Sequence, residues 1–222
     1  MWWPVHPRQL QRALLRRAAL QYARHGWPVV PGAYRTGARF ACDRAGCPTS
    51  GCHPAYENWR HVASCDVVNV LGWWARRDHS VLLATGSGCD VIEAPGWAGE
   101  AALEMLGETG CPVAITPTGS WLFFVRPGEG LRPERPGEGL RPELANRPDV
   151  VRHTSGSWVP APPTRFPEGR VRWRVAPQTV EWRLADPYRV QQALLDAPRP
   201  VASRRTTSPV GTTSPVVRAV PH

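Results

Sequence analysis

The segment 81–94 constrains the fold most, because two apolar runs are separated there by a turn of three small residues. Residues 81–85 and 90–94 have the length and β-branched content of buried strands, and Gly86, Ser87 and Gly88 lie between them. A chain with this segment must build at least one sheet inside its core.

The other elements alternate helices with strands, and antiparallel hairpins such as the one around residues 117–120 indicate an α+β domain. The predicted helices span residues 7–25, 66–77, 97–108 and 187–196, and the further predicted strands span 27–31, 113–116, 121–125, 150–163 and 171–175. In the first helix, Leu10, Leu14, Ala18 and Tyr22 recur every four residues and are predicted to face the core.

One globular domain is predicted for residues 1–197. Residues 198–222 are rich in Pro, Ser, Thr and Arg and cannot bury enough apolar surface to order themselves, so a disordered tail is expected. The nonapeptide RPGEGLRPE occupies 126–134 and again 135–143. This duplication predicts an exposed loop, to which no function is assigned.

The charge of the chain limits its partners. The formal net charge is +9, the pI is about 10.1, and every basic residue other than histidine is arginine. Nucleic acid is the commonest partner of such a surface, although a GC-rich coding bias also explains the choice of arginine. No apolar run is long enough to span a membrane, and arginines interrupt the first helix, so neither membrane insertion nor export is expected and the cytoplasm is the expected location.

A loop at residues 40–54 holds the pattern C-x4-C-x4-C-H, formed by Cys42, Cys47, Cys52 and His53. Thiolate and imidazole ligands suit a structural Zn²⁺ ion. A loop of reduced, free thiols is the alternative. Cys65, Cys89 and Cys111 lie in predicted helix or strand contexts and are interpreted as small core residues.

Six segments resemble, in order, the N-terminal domain of bifunctional DNA primase/polymerases of the archaeo-eukaryotic primase superfamily. They are YARHGWPVVPG (22–32), HP with NW (53–59), ASCD with LGWWARR (63–77), VLLATGSGCDVIEA (81–94), ITPTGSWLFF (115–124) and DVVRHTSGSWVPAPPT (149–164). The resemblance implies an RRM-like core sheet with flanking helices. It also implies template-directed nucleotidyl transfer with two Mg²⁺ or Mn²⁺ ions, in DNA replication, with single-stranded DNA and nucleotides as partners.

The acidic motif of the family looks eroded in this chain. Two acids at i and i+2 on a strand point to one face and can share two metal ions. The resemblance places the first acid at Glu93, but Pro95 stands where the second is expected, and Asp149 matches the third. Asp90 precedes Glu93 by three residues and therefore faces the other side. Plain structural roles are the alternatives: an arginine partner for Glu93, and a turn or cap for Asp149.

Two other segments are candidate nucleotide contacts. The family has a histidine in the hairpin where this chain has Ser120 and Trp121, so Trp121 could stack on a base, with core packing as its alternative. Ser87 and Gly88 could let backbone N–H groups approach a phosphate, with a plain turn as the alternative.

Three functions follow from these features. The first is a primase/polymerase-like protein that binds nucleic acid or nucleotide while transfer is weak or lost, in effect a pseudoenzyme. The second is an active primase/polymerase that uses Glu93 and Asp149. The third is a regulatory or protein-interaction module on the same fold, for which the sequence names no protein partner.

Overall fold

The computed structural model describes residues 7–107, 110–128 and 139–199. Within these ranges the helices are α1 Pro7–Arg24, α2 Trp59–Val62, α3 Val67–Arg76, α4 Gly96–Leu106, α5 Pro142–Ala145 and α6 Pro187–Asp196. The strands are β1 Val29–Thr36, β2 Arg39–Ala41, β3 His79–Ala84, β4 Asp90–Ala94, β5 Val113–Ile115, β6 Trp121–Val125, β7 Val151–His153, β8 Trp158–Pro160, β9 Arg165–Phe166, β10 Gly169–Arg170 and β11 Arg172–Val175.

Two antiparallel sheets carry the core, which confirms the predicted α+β class. The first sheet has the order β2-β1-β3-β8, and the second has the order β11-β5-β6-β4-β7. Helices α1 and α3 pack against the first sheet, while α4 and α6 pack together and α6 contacts the second. The turn at 86–88 leads from β3 in the first sheet to β4 in the second, so the chain passes from one sheet to the other at this turn.

The buried face of α1 differs from the predicted one. Leu15, Ala19 and Tyr22 are buried, whereas Leu10 and Leu14 are 55% and 46% exposed. The reason is helical geometry: residues four apart advance by about 400°, so each step drifts by about 40° and three steps move the stripe by about 120°. A stripe that begins at Leu10 therefore cannot stay on the face that holds Tyr22.

The predicted strand-like run at 150–163 is two strands in different sheets. β7 pairs with β4 in the second sheet, and β8 pairs with β3 in the first. Between them, Ser157 N donates to Thr154 O in a turn. This run, like the 86–88 turn, ties the two sheets together.

Two of the three isolated cysteines are core residues as predicted. Cys89 and Cys111 are fully buried, whereas Cys65 is exposed because it lies just before the N-cap of α3. No helix in the described ranges has both the length and the apolar content to cross a bilayer. Most of the predicted tail, from 200 onward, and residues 129–138 of the duplicated segment lie outside the described residues.

Candidate active-site face and cysteine cluster

Glu93 lies near the end of β4, on the face that it shares with Val91. Strand β7 pairs with β4 so that Val91 stands opposite His153 and Glu93 stands opposite Val151. Side chains on one face of neighbouring strands can also meet diagonally. Accordingly, the Oε2 atom of Glu93 lies 3.0 Å from Nε2 of His153, and the carboxylate has a partner inside the protein.

His153 is held on its other side as well. Its Nδ1 atom lies 3.0 Å from the hydroxyl oxygen of Ser157, and Ser157 is buried. An ionised carboxylate only accepts hydrogen bonds, so Nε2 must carry a hydrogen, and in the neutral ring Nδ1 then accepts from the serine hydroxyl. The imidazole therefore donates to Glu93 whether it is neutral or protonated.

The surroundings of Glu93 favour its ionised form. Burial raises the pKa of Glu93, but the hydrogen bond and charge of His153, together with a hydrogen bond from Ser120, outweigh it and hold the pKa below its ordinary value of 4.5. Ser120, one of the predicted nucleotide contacts, is thus brought beside a predicted catalytic residue.

Asp149 lies at the same end of the second sheet but contacts a different partner. If the β4–β7 register is continued past the Glu93–Val151 pair, Asp149 falls opposite Pro95. Its carboxylate is 42% exposed and lies 3.5 Å from the guanidinium of Arg147. That guanidinium stacks over the ring of Trp97, 5.0 Å from its centre. Each of the two predicted catalytic acids is therefore engaged by a basic side chain.

Pro95 ends β4 and serves as the N-cap of α4, with φ −67° and ψ 154°. Its ring offers no ligand atom at the position where the family resemblance implies an acid. Glu93 and Asp149 are not part of any group of three or more His, Cys, Asp or Glu side chains close enough to hold a cation within the described ranges. The residues present at this end of the sheet do not fit a pair of divalent cations.

Asp90 has a structural role on the opposite face of β4. Its Oδ2 atom accepts from Arg152 at 2.8 Å and from the backbone of Gly128 at 3.2 Å. Arg152 also donates to the carbonyl of Gly139 at 2.9 Å. Both members of this ion pair are buried, which agrees with the prediction that Asp90 points away from Glu93.

The turn that contains Ser87 and Gly88 is packed against the segment before β1 and the connection from β7 to β8. A Cβ atom at Gly88 would lie 2.1 Å from the carbonyl oxygen of Gly26, and one at Gly86 would lie 2.3 Å from the Cα atom of Ser155. Close backbone approach explains these two glycines, which favours the plain-turn alternative. Ser87 itself is exposed.

Trp121 is buried rather than open to a base. Only 7% of its surface is exposed, and its side chain fills the space above Gly99, where a Cβ atom would lie 2.4 Å from the indole ring. It also stacks against Phe123. These contacts favour the core-packing alternative for Trp121.

Three of the four predicted zinc ligands come together. Ligand atoms of Cys42, Cys47 and His53 all lie within 4.8 Å of one another, and Cys47 Sγ lies 3.4 Å from His53 Nε2. The other ring nitrogen of His53 contacts the carbonyl of Gly51 at 2.7 Å, which fixes the ring with Nε2 facing the sulfur. Burial raises the pKa of Cys47, but hydrogen bonds from its backbone neighbour Thr49 and from Cys42 and Arg44 outweigh it, so the thiol pKa is lowered.

The prediction of Cys52 as a fourth ligand is wrong. Its side chain is buried among apolar residues on the far face of the first sheet, and burial raises the pKa of its thiol to about 12. Cys42 packs against the same apolar group from its edge, whereas Cys52 lies within it, so the Cys52 thiol is part of the core.

The sequence model described as bifunctional DNA primase/polymerase, N-terminal, matches residues 19–207. The chain belongs to this family. The match covers the first sheet, the Glu93 end of the second sheet and the cysteine cluster, and it confirms the resemblance found in the motifs. No curated protein matches the chain in sequence. Membership implies interaction with nucleic acid and nucleotides in general, and the family typically uses divalent metals.

Sequence reasoning missed His153, Ser157 and Arg147. Counting by twos from Asp149 places 149, 151 and 153 on one face of a strand, so the alternation alone marks His153 as a neighbour of an acid. That β7 pairs with β4, and so brings His153 to Glu93, depends on a contact between residues 60 apart in the chain. No local pattern reports such a pairing.

Proposed function

We propose that this chain is a primase/polymerase-family protein that binds nucleic acid or nucleotides and in which nucleotidyl transfer is weak or lost. One observation carries the proposal: the carboxylate of Glu93 is hydrogen-bonded to His153 at 3.0 Å, while Pro95 stands at the position where the family resemblance implies the second acid. A two-metal centre needs carboxylate oxygens that bridge both ions and balance their charge. Here the acids at this end of the sheet are matched by basic side chains.

The electrostatic balance supports the same conclusion. Two divalent ions bring four positive charges, and Glu93 and Asp149 together supply two negative ones. Arg147 already offsets Asp149, and His153 donates to Glu93. A divalent ion must therefore compete with the hydrogen bond from His153 at Glu93 and with the charge of Arg147 at Asp149. Among the described residues, these two acids belong to no group with a third ligand that could form a second site.

The direct test is primer extension by the full chain with Mg²⁺ or Mn²⁺, compared with Glu93→Ala. We expect no extension above that of the variant, because the wild-type centre already lacks a working metal pair. Extension by the wild type that disappears in Glu93→Ala would establish instead the active enzyme that uses Glu93 and Asp149.

Nucleotide binding separates the proposal from a regulatory module without nucleic acid. A fluorescent deoxynucleoside triphosphate and a single-stranded oligonucleotide are titrated with the full chain over a salt series. Salt-sensitive binding of either ligand supports the proposal. If neither ligand binds at low salt, while a pull-down from nuclease-treated extract recovers a protein, the interaction module replaces it.

We further propose that Cys42, Cys47 and His53 hold a structural Zn²⁺ ion. The donor set is the one that zinc prefers. In a tetrahedral site with Zn–S bonds of about 2.3 Å the sulfurs lie roughly 3.8 Å apart, which is compatible with ligand atoms that all lie within 4.8 Å of one another. When bound, the ion would pin the 40–54 loop to the first sheet. A loop of free thiols is the competing state.

A further inference from the structure

A groove on the first sheet carries a strong positive charge. It is bounded by the N-terminal half of α1, the end of β1 and the connection from α3 to β3, and its volume is about 760 Å³. Six arginines and one acid, Asp78, line it. The arginines are Arg8, Arg12, Arg35, Arg76, Arg77 and Arg165.

Part of this charge is balanced within the protein and part is not. Arg12 pairs with Asp78 at 2.5 Å, and Arg77 pairs with Asp43 at 3.3 Å at the rim. Arg35 donates instead to the backbone carbonyls of Gly37 and Phe166. Carbonyls orient a guanidinium without neutralising it, so Arg35 is fixed in place with its charge intact.

Apolar surface lies beside the arginines. Leu10 and Leu14 are 55% and 46% exposed, and both line the groove, as does Tyr34. The guanidinium of Arg77 lies over the Tyr34 ring, 5.1 Å from its centre. The groove therefore combines cations with apolar side chains in one continuous surface.

We propose that this groove binds single-stranded nucleic acid, with backbone phosphates on the arginines and unpaired bases against Leu10, Leu14 and Tyr34. Arginine forks bind phosphate oxygens in pairs, and apolar or aromatic side chains accept the faces of any base. In a duplex the base faces are stacked against one another inside the helix, so they cannot contact the apolar side chains of the groove. The inference rests on the proposed function only in taking nucleic acid as the ligand, since no residue of β4 or β7 lines the groove.

The test is fluorescence anisotropy with labelled 20-mers of dT and of U, and with a duplex of equal length. Arg76→Glu with Arg165→Glu reverses two groove charges, and the matched control reverses two exposed arginines elsewhere, Arg172→Glu with Arg189→Glu. We expect the groove variant to lose at least about tenfold in affinity and to show a shallower salt dependence, because fewer phosphate contacts release counterions. The control should stay within about threefold of wild type. Unchanged thermal unfolding in both variants shows that the fold is intact.

Four outcomes would overturn the inference: equal losses in the two double variants, no loss in the groove variant, duplex binding as tight as single-strand binding, or equal competition by polyglutamate, which would identify an acidic-peptide site. The affinities for the dT and U 20-mers show whether the groove prefers DNA or RNA. Primer extension by the wild type would contradict the loss of transfer and leave the groove result standing. If the wild type showed only background extension and the groove variant bound single strands as tightly as wild type, the proposed loss of transfer would stand and the groove proposal would fail.

Discussion

Glu93 accepts a hydrogen bond from His153 across two neighbouring strands, at 3.0 Å between Oε2 and Nε2. The carboxylate that family resemblance assigns to metal binding is thereby committed to a contact within the protein. Because Ser157 fixes the far side of the imidazole, the donor cannot turn away without losing a second hydrogen bond. Glu93, His153 and Ser157 are therefore joined in one chain of hydrogen bonds.

Restoring an acid at position 95 should strengthen cation binding. Pro95 has the extended backbone of an N-cap, which aspartate adopts readily, so Pro95→Asp should fold. We expect it to bind Mn²⁺ about tenfold more tightly than Pro95→Asn, which has the same shape without the charge. Electron paramagnetic resonance of free Mn²⁺ measures the difference. Equal affinities of the two variants would mean that the missing acid is not what limits cation binding.

Stability should depend on acid pH through Glu93. Its pKa in the folded protein is lower than the ordinary 4.5, so its contribution is present above that value and is lost as the pH falls through the lower, folded pKa. We expect the free energy of unfolding of the wild type to exceed that of Glu93→Gln most at pH 5–6. Urea unfolding of both proteins from pH 3.5 to 6 should show the gap narrowing toward the acid end. Parallel curves would contradict this expectation.

Zinc content should depend on Cys47 and not on Cys65. Both residues are replaced by serine, one within the cluster and one exposed outside it. Elemental analysis of the purified full chain should find about one zinc per chain in wild type and Cys65→Ser, and close to none in Cys47→Ser. Wild-type protein that is free of zinc after expression with added zinc would support the reduced-thiol alternative.

A methyl group at Gly99 should destabilise the domain, because it would lie 2.4 Å from the ring of Trp121. We expect Gly99→Ala to lower the free energy of unfolding by about 1–3 kcal/mol through overpacking. Gly72 on α3 is the matched control, since nothing lies within 4 Å of a Cβ built there. Gly72→Ala should raise stability by about 0.5–1 kcal/mol. Denaturant unfolding compares the two, and a neutral Gly99→Ala would show that Trp121 has room to move.

The local pattern of apolar and turn residues predicted much of the fold, but it predicted less of the candidate site around Glu93. The strands at 90–94 and 121–125 have the predicted bounds, because their apolar runs end at turn residues. The opposite orientation of Asp90 and Glu93 follows from the two-residue period of a strand. The partner of Glu93 could not be predicted, since it depends on how distant strands pair. Cys52 was assigned to the wrong side because the spacing of ligands says nothing about which residue faces the core.

The buried pair of Asp90 and Arg152 has a consequence for the length of the chain. It contacts Gly128 in the first copy of the repeat and Gly139 in the second. Removal of residues 129–137 would leave a single RPGEGLRPE, with one residue between those glycines, and the same two side chains could clasp the shorter connection. We therefore expect a variant that lacks residues 129–137 to keep the Asp90–Arg152 pair, so the length of the connection can change by one repeat without a change in the sheet that it joins.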